Sequence, residues 1–344
     1  MICTLREFLE SLEPVDTYRL FRYTDEALKE KRCYTQIPLR KKNGGVRILQ
    51  APNNRLKRLQ RALLPYFQYA EISSCAAAYV KGRTLLDHAL QHTGSRMIVK
   101  LDIENFFGSI TFPKVFRAVD EALRRSPLAG PDGRSGARED RKAKHYNSEM
   151  SWFIAKACTL NGALPQGAPT SPALSNMVFF PLDKIIASYC RKHEIRYTRY
   201  SDDMIFSGDF RPSALIALIR KLLARNGYVL NEDKIVIAGS GRQQKITGVV
   251  VNQRPQADRK YRREIRQDIH YIGKYGLEEH LRRKGVLADA PDGADKTVQL
   301  VKELKGLIGR ISFVLQIDPG NKEFQIYKEL SINLLNRVPR IWTS

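Results

Sequence analysis

The stretch RYTRYSDDMIFSG, residues 196–208, decides how the chain folds. Apolar and aromatic residues flank a polar Ser-Asp-Asp centre, so it reads as strand, tight turn, strand. Asp202 and Asp203 then sit at the tip of a core hairpin. Adjacent carboxylates repel, and burial disfavours their charge, so such a pair is costly unless positive charge meets it. A second apolar strand, MIVKLDI at 97–103, carries Asp102 near its end. Divalent cations would offset the repulsion. Two of them, roughly 3.5–4 Å apart, suit in-line phosphoryl transfer. Oxygen ligands with water and phosphate are what Mg2+ prefers. The plain alternative is a solvated Asp-Asp turn, because Asp is common in turns.

Outward from this stretch the pattern alternates. Residues 35–51 read as a hairpin: TQIPL, a turn through LRKKNGG, then VRILQA, with Gly44 and Gly45 supplying the permissive backbone. Asn53 or Asn54 caps a helix through Leu56, Leu59, Leu63 and Leu64, with Arg55, Lys57, Arg58 and Arg61 interleaved. Residues 125–149 form a polar, Gly-rich, basic insertion expected to be an exposed loop. Helices are expected over 172–193 and 213–226, and short strands around YVLN, KIVIA and ITGVVVN. From about 255 helical periodicity takes over, with Val301, Leu304, Ile308, Ile311 and Leu315 on one face. A Pro/Gly/Asp loop near 289–294 divides that region.

Composition narrows the partners. The 344 residues carry 58 Lys and Arg against 36 Asp and Glu, a net charge of +22. Such an excess suits a polyanion, most commonly nucleic acid, with an anionic membrane as the rival. No apolar run approaches the roughly 18 residues of a spanning helix. The start, MICTLREFLESLEP, lacks a signal-peptide apolar core. Five scattered cysteines with no C-x-x-C pair argue against a zinc site or a disulfide framework, and fit free thiols in the cytoplasm.

Four segments, in order, resemble the polymerase motifs of reverse transcriptases: KKNGGVR at 41–47, KLDIENFF at 100–107, LPQGAPTSPALSN at 164–176 and YSDD at 200–203. The likeness runs from about 35 to 317. Within that family the chain resembles the bacterial retron reverse transcriptases. AYVKGRTLLDHALQH at 78–92 is similar to a segment of theirs leading to N-A-x-x-H, although His88 stands in place of Asn. ITG at 246–248 and LKGLIGRISFVLQIDP at 304–319 are similar to their V-T-G element and thumb helix.

The resemblance implies an α+β right-hand polymerase with fingers, an antiparallel-sheet palm and a helical thumb. The expected divisions are 1–95 for N-terminal helices and fingers with part of the palm, 96–252 for the palm with fingers insertions, and 253–344 for an RNA-binding thumb. Asp102, Asp202 and Asp203 would be catalytic, and with Ile103 would hold two Mg2+ ions, Mn2+ being a substitute. Lys41, Arg47, Phe107, Gln166 and Lys234 would meet the nucleotide. Arg47 would grip phosphate, Phe107 would exclude a ribose 2′-hydroxyl, and Lys234 would protonate pyrophosphate. The plain readings are surface cations for Lys41, Arg47 and Lys234, core packing for Phe107, and a helix-ending loop for Pro165, Pro169 and Pro172.

RNA contacts are expected at His92, Thr247, Gly248, Arg259, Lys260, Arg262, Arg263 and Arg266. A charge run is often just a solvated face. His88 and His92 are also readable as solvated helix residues, a structural hydrogen bond or half of a zinc site. The implied partners are dNTPs, a cognate structured noncoding RNA, the DNA copied from it and a separate effector protein, with no membrane. The implied activity is RNA-directed DNA synthesis primed from an RNA 2′-hydroxyl, in antiphage defence. Alternatives are a group II intron-like or abortive-infection-type enzyme, and a catalytically silent RNA-binding protein.

Overall fold

The structure, a computed structural model, describes residues 33–40, 44–125, 148–287 and 294–338. Lys41, nearly all of the polar insertion and most of the 289–294 loop lie outside the described residues. In chain order the first elements are β1 (Tyr34–Arg40), β2 (Val46–Pro52), α1 (Asn54–Leu63), α2 (Leu85–Leu90), β3 (Met97–Glu104), α3 (Phe112–Arg125), α4 (Ser148–Cys158) and α5 (Ser171–Lys192). Then come β4 (Arg196–Tyr200), β5 (Asp203–Gly208), α6 (Pro212–Arg225), β6 (Val229–Leu230) and β7 (Val236–Gly239). The remainder is β8 (Lys245–Ile246), β9 (Val249–Val250), β10 (Gln256–Ala257), α7 (Arg259–Tyr275), α8 (Leu277–Arg283), α9 (Ala294–Ile317) and α10 (Lys322–Arg337). The α+β class expected from the sequence is the class observed.

The chain makes two compact units. One runs up to Arg83 and resumes over Val99–Ile237; the other takes Thr84–Ile98 and the residues from Ala238 onward.

In the first unit, β1 and β2 pair antiparallel from Tyr34↔Pro52 to Arg40↔Val46. Gly44, at φ +83°, supplies the left-handed backbone of their turn. Asn53 caps α1, its Oδ1 accepting from the Leu56 amide at 3.0 Å, a contact worth about 1 kcal/mol. The helix then buries Leu56, Leu59 and Leu63, spaced three and four apart. The main sheet runs β4-β5-β3-β6. Its strands β3 and β5 are buried along most of their length. The apolar runs MIVKLDI and MIF meet that requirement, and α3, α4 and α5 supply much of the core around them.

In the second unit, β8, β9 and β10 form a small antiparallel sheet. Helix α7 is capped by Asp258, whose Oδ1 accepts from the Lys260 amide at 2.8 Å. It ends at Gly276, at φ +80°. The expected stripe on α9 is offset. Leu304, Leu307, Ile311, Val314 and Ile317 are buried, whereas Ile308 and Leu315 are only partly covered. The apolar stripe of this helix is broad, and packing uses one edge of it.

No helix among the described residues is long and apolar enough to cross a membrane.

Candidate active site

Strand β3 delivers Asp102, and the β4–β5 turn delivers Asp202 and Asp203. Tyr200 pairs with Asp203, so Ser201 and Asp202 alone form the connection. The Ile103 amide donates to the Asp202 carbonyl at 3.2 Å, which fixes the turn against β3. On the other side of β3, the Asn231 amide donates to the Asp102 carbonyl at 2.8 Å. A 3₁₀ turn follows over Glu232–Lys234. It carries Lys234 Nζ to 2.8 Å from Asp102 Oδ1.

Burial lifts the Asp202 carboxyl above its ordinary value; its own main-chain hydrogen bond opposes this, and the Asp102 charge adds to it. Lys234 and Arg47 pull it back. Burial likewise lifts Asp203, opposed by Lys100 and reinforced by Asp202 and Asp102. Hydrogen bonding to Asp102 holds the Lys234 ammonium above its ordinary value. Asp102, Ile103, Asp202, Asp203 and Lys234 are therefore brought together, and Arg47 is near enough for its charge to be felt at Asp202.

These donors fit a divalent cation of the Mg2+ type. They are hard carboxylate oxygens, and their shared negative charge already draws a lysine. Among the described residues no three His, Cys, Asp or Glu side chains are already gathered closely enough to hold a metal ion. The Lys234 ammonium occupies one carboxylate oxygen of the set.

Phe107 is partly buried, its ring edge-on to the buried Phe106 at 5.5 Å. Strand alternation does not reach these rings, because β3 ends at Glu104 and Asn105 turns the chain at φ +44°. Phe106 nonetheless enters the core, beside Phe179 and Tyr228. Gln166 meets the β1–β2 hairpin through its backbone, its carbonyl accepting from the Gln50 amide at 2.6 Å. Gly167 follows at φ +117°, where a Cβ would come within 3.1 Å of the Gln50 carbonyl oxygen. Glycine is required there on both counts.

The expected RNA contacts divide. Arg259, Lys260 and Arg263 are exposed on α7. Arg262 is partly buried and reaches Gln256. Arg266 is engaged within the fold by a bidentate pair with Glu323, at 2.7 Å for both bonds, and by the Phe324 ring. Thr247 and Gly248, at φ +44° and +96°, are the two-residue turn between β8 and β9. His92 corrects the surface reading: it is completely buried, edge-on to the buried His88, so it offers no face to RNA in this conformation.

One cluster beside the site escaped the sequence. Arg199 and Asp183 are both fully buried and paired at 2.8 Å. The available signal was Asp183 as the one acid within the long, largely apolar α5; Arg199, one of two arginines in β4, carried none.

Residues 39–254 match the family described as reverse transcriptase (RNA-dependent DNA polymerase). The chain is 34% identical over 244 residues to the retron Mx65 reverse transcriptase of Myxococcus xanthus, covering 70% of this chain and 56% of that one. It is 31% identical over 274 residues to the retron Ec86 reverse transcriptase of Escherichia coli, covering 78% of each. The match thus spans little more than half of the first relative's length. Among solved structures, telomerase from Candida albicans with a fragment of telomeric RNA gives a TM-score of 0.46 at 9% identity, over 96% of this chain and 65% of that one. With the family matched across most of the chain and a retron enzyme matched over 78% of both lengths, the chain belongs to the reverse transcriptases, within their retron group.

Proposed function

We propose that this protein is an RNA-directed DNA polymerase of retron type, which copies part of a cognate structured noncoding RNA into single-stranded DNA. The single observation that carries the reading is the meeting of Asp102 with the Asp202–Asp203 turn, across about a hundred residues of sequence, in a family of RNA-dependent DNA polymerases. Reverse transcriptases as a family use divalent metal ions. Asp102, Asp202, Asp203 and the Ile103 backbone would hold two Mg2+ ions, with Mn2+ as a substitute. When bound, such ions make a 3′-hydroxyl nucleophilic and neutralise the leaving pyrophosphate.

The chain's own groups supply the rest. Arg47, whose charge is felt at Asp202, offers a forked cation to the triphosphate, and Lys41 adds charge to it. Gln166 and Gly167 seat the incoming nucleotide. Phe107 blocks a 2′-hydroxyl and so selects dNTPs. Lys234 Nζ gives its proton to pyrophosphate. The exposed α7 cations Arg259, Lys260 and Arg263 meet RNA phosphates, with Arg262, Thr247 and Gly248 beside them. Residues 1–95, 96–252 and 253–344 act as fingers with part of the palm, palm, and thumb of a right-hand polymerase.

The primer is an RNA 2′-hydroxyl, and the setting is cytoplasmic antiphage defence with a separate effector protein. The test is to purify the protein from its native locus and sequence the nucleic acid that comes with it. A covalent RNA–DNA branch is expected. Linear DNA primed from a 3′-end would overturn the priming step, and the absence of copied DNA would overturn the reading.

A further inference from the structure

The connection between β4 and β5 has two central residues, Ser201 and Asp202. Ser201 has φ +60°, and Asp202 is not among the residues of positive φ. A positive φ at the first central residue alone is the pattern of a type II′ turn, where glycine is the ordinary choice. A serine there is strained and persists only if its surroundings hold it.

They do so from two sides. Arg199 Nη1 donates to the Ser201 carbonyl at 3.0 Å. Tyr79 Oη lies 3.2 Å from Ser201 Oγ as donor. Tyr79 is itself left-handed, at φ +62°, and about half exposed. The two strained residues flank one hydrogen bond, immediately before Asp202.

Behind them one buried network fixes both. Arg199 Nη2 donates to Asp183 Oδ2 at 2.8 Å and to Asn176 Oδ1 at 3.1 Å. Asn176 Nδ2 donates to the Ala78 carbonyl at 2.8 Å, next to Tyr79. Tyr197 Oη donates to Asp183 Oδ1 at 2.7 Å. The guanidinium also lies over the Phe179 ring, 4.6 Å from its centroid. A buried ion pair is a weak source of net stability, since desolvation cancels much of its attraction. What it supplies is direction: every guanidinium nitrogen has an assigned partner, and one of them is the turn.

We propose that Tyr79 and Arg199 are positioning residues. Together they hold Ser201 left-handed and so set where Asp202 and Asp203 stand against Asp102 for cation binding. This rests on the reading of those carboxylates as metal ligands.

The test compares Tyr79→Phe, Ser201→Ala, Ser201→Gly and Asp202→Asn with the wild type, using the whole protein. Equilibrium Mn2+ binding without nucleotide is read by electron paramagnetic resonance. Amide hydrogen exchange at residues 201–203 is read without any metal. Tyr79→Phe removes only a hydroxyl from a half-exposed ring, so the fold survives. Tyr79→Phe and Ser201→Ala are each expected to weaken Mn2+ binding about tenfold and to speed exchange at 201–203, with an unchanged melting temperature. The double variant is expected to be no worse than either, because both remove the same bond. In a Ser201→Gly background, Tyr79→Phe is expected to have no further effect. Mg2+ titrations of primer extension should shift by the same factor, at an unchanged KM for dNTP. Arg199→Lys should act in the same direction.

Wild-type Mn2+ binding and exchange in Tyr79→Phe, with binding lost in Asp202→Asn, would overturn the positioning role alone. Wild-type Mn2+ binding in Asp202→Asn would instead overturn the metal-ligand reading beneath it.

Discussion

Lys234 Nζ stands 2.8 Å from Asp102 Oδ1, although the two residues are 132 positions apart in the chain. Asp102 is only 6% exposed. Its charge is therefore met by a cation that also feels Asp202 and Asp203, and that keeps its proton more firmly than an ordinary lysine. One side chain thus offsets the charge of the acids, and in the proposed function it also gives the proton to pyrophosphate.

Replacing Lys234 separates those two roles. Lys234→Met is expected to slow single-turnover DNA synthesis by about 10²-fold, the low end of what a positioned general acid contributes, and to lower the metal-free melting temperature. Lys234→Arg keeps the ion pair but is a poor proton donor. It should restore the melting temperature and leave the rate low. Equal rates in Lys234→Arg and the wild type would remove the proton-donor role.

Phe107 is partly buried beside Phe106, so truncation opens space at the end of β3 without emptying the core. Phe107→Ala is expected to reduce discrimination of dNTP over rNTP by about 10–200-fold, the range a steric contact of this size supplies. Competing incorporation assays measure it directly. Unchanged selectivity would return Phe107 to a packing role.

Asp268 gathers His280 at 3.2 Å, Lys284 at 2.6 Å and Arg310 at 2.5 Å within the second unit. Burial pushes its carboxyl up, but hydrogen bonds from Lys284 and Arg310 outweigh burial and hold it below its ordinary value. A depressed folded-state value stabilises the fold fully above the unfolded value, near 3.9, and the benefit is lost as pH falls through the lower folded value. Asp268→Asn should therefore cost roughly 1–3 kcal/mol near neutral pH, measured by denaturant melts. The difference from the wild type should shrink below about pH 4. A pH-independent difference would contradict the charge-based origin.

Arg259, Lys260 and Arg263 are exposed on α7, whereas Arg266 is spent on Glu323. Each neutralised exposed cation that touches a phosphate should lower the slope of log Kd for RNA against log salt by about 1. Arg266→Ala should instead reduce the stability of the second unit with little change in that slope. Filter binding across a salt series checks both. A wild-type slope in the triple variant Arg259→Ala, Lys260→Ala, Arg263→Ala would place the RNA elsewhere.

Local chemistry was readable in advance wherever neighbours in sequence decide it. Asn53 caps α1 as its side chain allows, Gly44 turns the β1–β2 hairpin, and the Ser201–Asp202 connection lies where apolar strands leave off. The three aspartates stood out through the resemblance of KLDIENFF and YSDD to polymerase motifs; the residues alone left a solvated Asp-Asp turn open. What escaped depends on partners distant in the chain. Nothing near Arg266 announces Glu323, 57 residues on, and nothing near His92 announces that it is wholly covered. The Arg199–Asp183 pair lies across two elements, and the α9 stripe slipped to one edge because periodicity gives a face but not which of its margins packs.

The most direct measurement is template-dependent incorporation of dNTP on an RNA template with Mg2+, comparing the wild type with Asp202→Asn and Asp203→Asn at matched RNA occupancy. The wild type is expected to extend the primer. Both variants should bind RNA with an unchanged Kd and extend nothing measurable. Extension by either purified variant, or RNA binding without extension by the wild type, would contradict the assignment of these carboxylates as the polymerase centre.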